Sequence, residues 1–253
     1  RREIKIGNNK QYNYLISPLI GSELKNGIYE GATPNAPFTL YYNESNNYFY
    51  NSTGVYILGR GLAVKEPATG TGTINAIFKG VPMNGAFTFN LANTNTSDTG
   101  YNLTGNPYPS NINITTLYNL GSNATNISQN FYFWDNTANS IYAQGGSGYD
   151  GSAYAVFNAF SGIGNGAGFP LNPGTTVNNK KPTAVVKVGQ GFMVRSIETT
   201  NKVLSFNNSI RVGNGGNGYF GNPAKSATAD VSNRFWLNLS APSNITTQIA
   251  VVY

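Results

Sequence analysis

The fold is decided by four phrases: Tyr101-Asn-Leu-Thr-Gly-Asn106-Pro-Tyr-Pro-Ser110, Phe131-Tyr-Phe-Trp-Asp135, Val188-Gly-Gln-Gly-Phe-Met-Val194 and Leu204-Ser-Phe-Asn-Asn-Ser-Ile-Arg211. Each phrase is an apolar or aromatic run that is bounded by Gly, Pro or Asn. This pattern is typical of a β-strand and its flanking turns. The region between Tyr101 and Arg211 is therefore predicted to be a β-sheet unit.

A fainter copy of the same phrases precedes this region, in the same order. The copies read Tyr12-Asn-Tyr-Leu-Ile-Ser-Pro18, Phe38-Thr-Leu-Tyr-Tyr42, Leu58-Gly-Arg-Gly-Leu-Ala-Val64 and Ile74-Asn-Ala-Ile-Phe78. The Leu58–Val64 phrase matches the Val188–Val194 phrase in residue type at every position. The sequence therefore predicts two tandem, related antiparallel β-sandwich units of jelly-roll type.

The composition favours the same all-β class. Of the 253 residues only 10% are charged, whereas 13% are aromatic, with 17 Tyr and 30 Gly. Aromatic and β-branched residues favour strands, and no segment shows a sustained helical period with caps. Two boundaries are predicted from polar segments that lack large side chains. They give units at 1–97 and 98–223, and a linker with the opening strands of a third module at 224–253.

The absence of Cys and His excludes several classes of chemistry. Without Cys there are no disulfides or thiolate nucleophiles, and without His there is no Ser-His-Asp triad and no usual zinc centre. We therefore predict no cofactor and no metal centre. The net charge is +6, and the 16 Lys and Arg residues are scattered, which indicates a solvated basic surface and not a nucleic-acid site.

Two further features of the whole chain bear on its location. No apolar run approaches the roughly 18 residues of a membrane helix, so no membrane span is predicted. The sequence opens without a signal peptide, which is expected of an internal piece of a longer precursor or of a mature form already trimmed, and it stops inside a strand pattern, which predicts that the last module is cut short.

Four phrases carry a resemblance to a known family: Gly105-Asn-Pro-Tyr-Pro-Ser110, Phe133-Trp-Asp135, Gly189-Gln-Gly-Phe-Met-Val194 and Arg234-Phe-Trp-Leu-Asn-Leu239. The chain resembles large exported surface proteins of Bacteroidota, in which such a β region lies just upstream of a C-terminal sorting domain. The resemblance implies export by the type IX secretion system, contact with that machinery, and a location at the cell surface, outer-membrane associated or secreted. It implies no catalytic residues.

The glycine pairs and the Asn-Pro phrase are predicted to be structural turns. Isolated glycines inside a strand pattern mark bulges or tight turns, and proline restricts its own φ and the residue before it. The alternatives are a ligand-cradling role for the glycines and a peptide-binding role for the Asn-Pro turn. The positions concerned are Gly59, Gly61, Asn106, Pro107, Gly189 and Gly191.

An aromatic cluster is the candidate ligand site. Aromatic faces beside Asn and Gln donors suit carbohydrate, because sugar C–H faces are apolar while their edges form hydrogen bonds. The alternative is that Trp134 and its alternating neighbours are core anchors of the sandwich. The candidate residues are Trp134, Tyr142, Tyr149, Asp150 and Tyr154.

Two other site patterns are weaker. A glycosidase needs two facing carboxylates, and only Asp135 and Asp150 could converge in the second unit. Gly145-Gly-Ser-Gly-Tyr-Asp150 matches the start of a calcium-binding β-helix repeat, but it occurs once and cannot stack. A lone calcium site using Asp150 is the surviving alternative.

These observations predict a non-enzymatic, secreted cell-surface segment with a role in adhesion or display. Its partners would be the type IX machinery during export and surface glycans or other surface proteins afterwards. The alternative is a carbohydrate-binding module of a secreted polysaccharide-processing protein, centred on Trp134.

Overall fold

The computed structural model describes residues 2–4, 12–21, 38–65, 74–76, 78, 80–94, 99–135, 154–166, 181–199, 202–213, 234–241 and 245–252. Within these ranges the chain is mostly strand, arranged in several antiparallel sheets with few helices, so the predicted all-β class is confirmed. The strands are β1 (Arg2–Ile4), β2 (Asn13–Leu15), β3 (Phe38–Asn43), β4 (Tyr48–Asn51), β5 (Leu62–Lys65), β6 (Ile74–Ala76), β7 (Phe87–Asn90), β8 (Tyr101–Gly105), β9 (Asn111–Asn113), β10 (Ile127–Trp134), β11 (Tyr154–Asn158), β12 (Ile163–Asn165), β13 (Val185–Val186), β14 (Gly191–Ser196), β15 (Val203–Phe206), β16 (Arg211–Val212), β17 (Arg234–Ala241) and β18 (Ile245–Val252).

The helical segments are short. Among the described residues they are α1 (Ile114–Tyr118), α2 (Asn123–Asn126) and two 3-10 turns at Glu44–Asn46 and Asn208–Ile210. The Asn113 side chain caps α1 by accepting hydrogen bonds from the amides of Thr115 and Thr116. The sequence prediction missed α1, because one and a half turns are too short to show a period.

Two sheets carry the repeated phrases. The first sheet has the strand order β2-β5-β3-β4, and the second sheet has the order β12-β11-β10-β14-β8. When the phrases of the two halves are aligned, β2, β5, β3 and β4 correspond to β8, β14, β10 and β11. The two sheets therefore share one strand order.

The register of pairing is also shared. Aligned phrases place equivalent residues opposite equivalent partners in the two sheets. The matched pairs are Asn13↔Val64 with Asn102↔Val194, Leu15↔Leu62 with Thr104↔Phe192, Leu40↔Ala63 with Tyr132↔Met193, and Tyr42↔Phe49 with Trp134↔Tyr154. Since a one-residue slip would turn every side chain to the other face, the two sheets present equivalent positions on equivalent faces.

One face of each sheet contributes to a shared aromatic layer. Alternate residues along the paired strands point into it, as the two-residue strand period requires. Its buried members are Tyr14, Ala63, Leu103 and Met193, and Tyr12, Leu40, Tyr42, Phe49, Tyr132, Trp134 and Tyr154 pack against them partly buried.

The opposite face of the second sheet lies in the main core. This cluster joins that face to α1, β7, β9 and β15. Its buried members include Tyr108, Ile112, Ile114, Leu117, Phe131, Phe133, Phe157, Phe192, Leu204 and Phe206.

Strand β7 from the first half pairs with β15 from the second. Phe87 lies opposite Phe206, and their rings stack with centroids 4.8 Å apart and planes 3° from parallel. Strand pairing thus crosses the boundary predicted at residues 97 and 98, and the division into separate units there stays a prediction.

Asn84-Gly85 is a residue pair typical of two-residue hairpin turns and predicts a hairpin between its flanking strands, but this prediction is wrong. Strand β6 pairs with β1 and β7 with β15, so the strands on either side of the turn do not pair with each other. Gly85 has the expected positive φ of 85° but Asn84 does not. Instead, Gly85 N donates to Asn208 Oδ1 at 3.2 Å, so tertiary contacts hold the turn.

Residues 1–221 form one compact unit and 222–253 another. Within the second, β17 and β18 form an antiparallel hairpin in which Arg234 pairs with Val252 and Ala241 with Ile245. This hairpin lies in the segment 224–253, for which the opening strands of a third module were predicted. Its role as the start of a sorting domain stays a prediction.

Candidate functional site

The aromatic layer contains two of the predicted ligand residues. Trp134 lies opposite Tyr154 on paired strands, and their rings meet edge-on with centroids 5.1 Å apart. Tyr14 of the first sheet stacks on Trp134 at 5.8 Å, and its hydroxyl lies 2.6 Å from that of Tyr154. These side chains join the two sheets, which is the core-anchor arrangement that the sequence left open.

The other predicted ligand residues, Tyr142, Tyr149 and Asp150, lie outside the described residues. Trp134 and Tyr154 are each partly buried, so each keeps some solvent-accessible surface. Their role in ligand binding stays a prediction. Asp135, the other acidic candidate, is buried at the end of β10.

Both glycine-paired phrases form the same tight turn. Arg60 N donates to Ile57 O at 3.1 Å, and Gln190 N donates to Lys187 O at the same distance. The third residue of each turn is Gly59 (φ 81°) or Gly189 (φ 71°). A positive φ at this place favours glycine, and both turns have a glycine there.

The second glycine of each pair packs against a strand of the other half. A Cβ on Gly61 would lie 2.7 Å from Thr104 O, and one on Gly191 would lie 2.7 Å from the carbonyl carbon of Tyr14. Gly61 N also donates to Leu103 O at 2.9 Å, and Leu15 forms a β-bridge with Gln190. The contacts are reciprocal, and they interlock the two halves.

Asn106-Pro107 forms a turn whose polar groups are satisfied internally. Asn106 is fully buried; its Nδ2 donates to Ser110 O at 2.7 Å and its Oδ1 accepts from Tyr108 N at 3.0 Å. These hydrogen bonds hold the turn together. Tyr108 donates its hydroxyl to Gly85 O at 2.7 Å, and burial raises the pKa of that phenol to about 12, partly opposed by Arg211.

Sequence reasoning gave no role to Glu44, which is a buried carboxylate at the β3–β4 turn. Its Oε1 accepts from Gly100 N at 2.7 Å and from Thr94 N at 3.0 Å. Its Oε2 is buried and has no hydrogen-bond partner among the residues that the structure describes. Glu44 thus ties the first sheet to the segment that leads into β8, and only the tertiary structure shows this.

A second feature missed from the sequence is the tyrosine face, formed by Tyr41, Tyr48 and Tyr50 on the outer side of the β3–β4 hairpin. Tyr41 pairs with Tyr50, with ring centroids 5.9 Å apart, and Tyr48 meets Tyr50 edge-on at 5.3 Å. The alternation Tyr48-Phe49-Tyr50 indicates that the two tyrosines share a face. It does not indicate that this face is open to solvent.

The described residues contain no group of three or more acidic side chains that could hold a metal ion. The same part of the chain has no helix that is both long and apolar enough to span a membrane.

Comparison with known proteins gives a family without an assigned activity. Neither the curated proteins nor the solved structures contain a significant match to this sequence. A family profile described as "Domain of unknown function (DUF8693)" matches residues 1–253. Because this match spans the whole sequence, the chain belongs to the DUF8693 family.

Proposed function

We propose that the chain is a non-enzymatic segment of a secreted cell-surface protein with a role in adhesion or display. The observation that carries this proposal is a set of large apolar and aromatic side chains exposed on ordered strands and turns. A contiguous exposed apolar patch marks an interaction surface, and Tyr48 and Tyr50 contact each other with ring centroids 5.3 Å apart. The exposed residues include Tyr48, Tyr50, Val55, Ile57, Phe160 and Ile163.

The proposed location is extracellular, either secreted or associated with the outer membrane after type IX export. Support comes from the resemblance of the Asn-Pro, Phe-Trp-Asp, Gly-Gln-Gly and Arg-Phe-Trp phrases to that class of surface proteins. A chain without Cys is also suited to folding outside the cell without redox assistance.

A localisation experiment tests this proposal. The full-length parent protein, tagged within this region, is produced in a Bacteroidota host with and without a functional type IX system. We expect added protease to remove the tag from intact cells of the first strain and not of the second. Equal protection in both strains would contradict surface exposure, and equal cleavage would contradict the export route.

We also propose that the two halves are related by duplication of one β-sandwich unit. The shared strand order and the shared register of the first and second sheets support this relation. The reciprocal contacts of Gly61 and Gly191 support it further, because the equivalent glycine in each half packs against a strand of the other half.

A carbohydrate-binding module of a polysaccharide-processing protein is the second candidate. The partial exposure of Trp134 and Tyr154 on adjacent strands favours it. A glycan array comparing the wild type with Trp134→Ala tests this version, since loss of a signal in the variant is expected. If neither the wild type nor the variant gave a signal on the array, the carbohydrate-binding function would be ruled out.

A further inference from the structure

The Asn84-Gly85 pair is the kind of sequence at which asparagine deamidates most readily. Glycine has no side chain, so nothing of its own shields the Gly85 nitrogen from the neighbouring carboxamide. Asn84 is exposed, and a Cβ added to Gly85 would meet no atom within 4 Å. Water therefore has access to this turn.

Deamidation at this pair is an intramolecular reaction. The Gly85 nitrogen bonds to Asn84 Cγ, and its proton, relayed by water, leaves with Nδ2 as ammonia. Water then opens the resulting succinimide at either carbonyl, which gives aspartate or isoaspartate. The rate depends on how freely the two groups can align, because such a step needs its reacting atoms about 3–3.5 Å apart in the correct orientation.

One side chain contacts both reacting groups. Gly85 N donates to Asn208 Oδ1 at 3.2 Å, and Asn208 Nδ2 donates to Asn84 Oδ1 at 3.0 Å. The Asn208 amide thus engages the nucleophile with its oxygen and the electrophile with its nitrogen. The proton that Gly85 must lose is held in one hydrogen bond, and the Asn84 carboxamide cannot turn without breaking the other.

Two further contacts are made at the same turn. The Tyr108 hydroxyl donates to Gly85 O at 2.7 Å, which restrains Gly85 from its other side. Arg211 Nη1 donates to Asn84 Oδ1 at 3.2 Å. A cation beside Oδ1 draws electrons from Cγ and favours attack, so the protection is assigned to Asn208 and not to Arg211.

The position of Asn208 is itself fixed by the fold. Asn208 begins the 3-10 turn Asn208–Ile210, which Asn207 caps by accepting from Ser209 N at 2.8 Å. Ile210 is fully buried in the main core. Asn84 and Asn208 are 124 positions apart in the sequence, so their contact exists only in the folded chain.

We propose that Asn84 is a deamidation site whose reaction is held back by Asn208 in the folded protein. Isoaspartate would lengthen the main chain of the turn, which would displace Gly85 O from the Tyr108 hydroxyl. Either product would place a carboxylate beside Arg211. The reaction does not depend on the surface role proposed for the chain.

Timed incubation of the purified chain at mildly alkaline pH, followed by peptide mapping with mass spectrometry, tests the proposal. We expect Asn84 to react more slowly in the folded wild type than in the same chain unfolded in urea. Asn208→Ala raises the rate in the folded chain about tenfold, since the net free energy of two hydrogen bonds corresponds to about that factor. Asn208→Asp keeps an acceptor for Gly85 N and loses the donor to Asn84, so its rate lies between the two.

Asn119→Ala is the matched control. Asn119 is also an exposed asparagine, and its Nδ2 donates to Thr115 O at the end of α1, so its removal leaves the rate at Asn84 unchanged. Thermal unfolding of every variant confirms that the chain is folded during the incubation. Should Asn208→Ala fail to fold, Asn208→Asp carries the comparison with the wild type.

Four results would overturn the assignment. These are equal rates at Asn84 in the folded and the urea-unfolded wild type, no acceleration in a folded Asn208→Ala, a wild-type rate in Asn208→Asp, or an equal acceleration by Asn119→Ala.

Discussion

The first and second sheets share strand order and register, yet their outer faces differ. In the second sheet that face is covered, and Phe133 and Ala155 lie in the main core. In the first sheet the same positions are Tyr41, which is half-buried, and Tyr50, which is exposed. The cover of the second sheet comes partly from residues 106–126, which connect β8 to β10 and contribute Ile114 and Leu117. The strand phrases thus determine strand order and register, whereas the connecting segments determine which face of a sheet is covered.

The largest expected effect is loss of the fold when the two halves are separated. Fragments 1–97 and 98–223 each lack one partner of the β7–β15 pair and one side of the Gly61 and Gly191 contacts. We expect neither fragment to give dispersed amide signals by NMR or a cooperative unfolding transition. Cooperative unfolding of either fragment would show an independent unit and would support the predicted boundary.

Next in size is the contrast between equivalent positions on the two outer faces. Phe133→Ala removes a buried ring and is expected to lower the free energy of unfolding by about 3–5 kcal/mol. Tyr41→Ala, at the matched position of the first sheet, is expected to cost less than about 1 kcal/mol. Urea unfolding measures both. Similar losses would mean that the tyrosine face is covered in solution.

Substitution of the two reciprocal glycines is expected to lower the free energy of unfolding by less than Phe133→Ala does. The loss should be about the same in the two halves. Gly61→Ala and Gly191→Ala each place a Cβ 2.7 Å from backbone of the other half, so the backbone must shift. We expect each to destabilise by about 1–3 kcal/mol. Gly213→Ala is the control, because a Cβ there meets nothing within 4 Å. If only one of the two glycines were sensitive, the reciprocity would be wrong.

The smallest expected effect is a pH dependence of stability that arises in the turn after β8 and not in the equivalent turn after β2. Tyr108 has its counterpart at Leu19, which does not titrate, and burial raises the pKa of Tyr108 from 10.0 to about 12. Because the folded pKa is the higher one, the unfolded chain loses this proton first, and the stability due to Tyr108 is full below pH 10 and declines towards pH 12.

Tyr108→Phe isolates that contribution. Near neutral pH the variant is expected to be less stable by about 1 kcal/mol, because Gly85 O loses its donor. The gap between wild type and variant should narrow in urea unfolding as pH rises from 10 towards 12. A gap that stays constant would show that the phenol titrates alike in both states.

Much of the sheet structure could be predicted because its signals are local. The runs at Phe131–Trp134 and Gly191–Arg195 are strands, and Gly59 and Gly189 adopt the positive φ that their turns require. The hairpin predicted at Asn84-Gly85 is absent because the strands on either side of the turn pair elsewhere, β6 with β1 and β7 with β15. A turn sequence indicates that the chain reverses direction, but it does not indicate which strands then pair with each other.

The candidate surfaces were predicted less well, because exposure depends on what packs against a strand. Trp134 and Tyr50 are both aromatic residues on strands next to polar neighbours. Trp134 stacks on Tyr14 from the other half, whereas Tyr50 faces solvent. Trp134 is packed because it contacts Tyr14, a residue 120 positions away in the sequence. A local sequence pattern cannot predict such a contact, so it cannot distinguish the packed Trp134 from the exposed Tyr50.

The sequence alone determined the all-β class, the strand phrases, the glycine turns and the exclusion of Cys and His chemistry, because these follow from residue type and short-range geometry. Only the tertiary structure decided that the halves interlock at Gly61 and Gly191, that Glu44 is buried, and that the tyrosine face is open. Each of these depends on long-range packing, where one strand receives its neighbours from the other half of the chain.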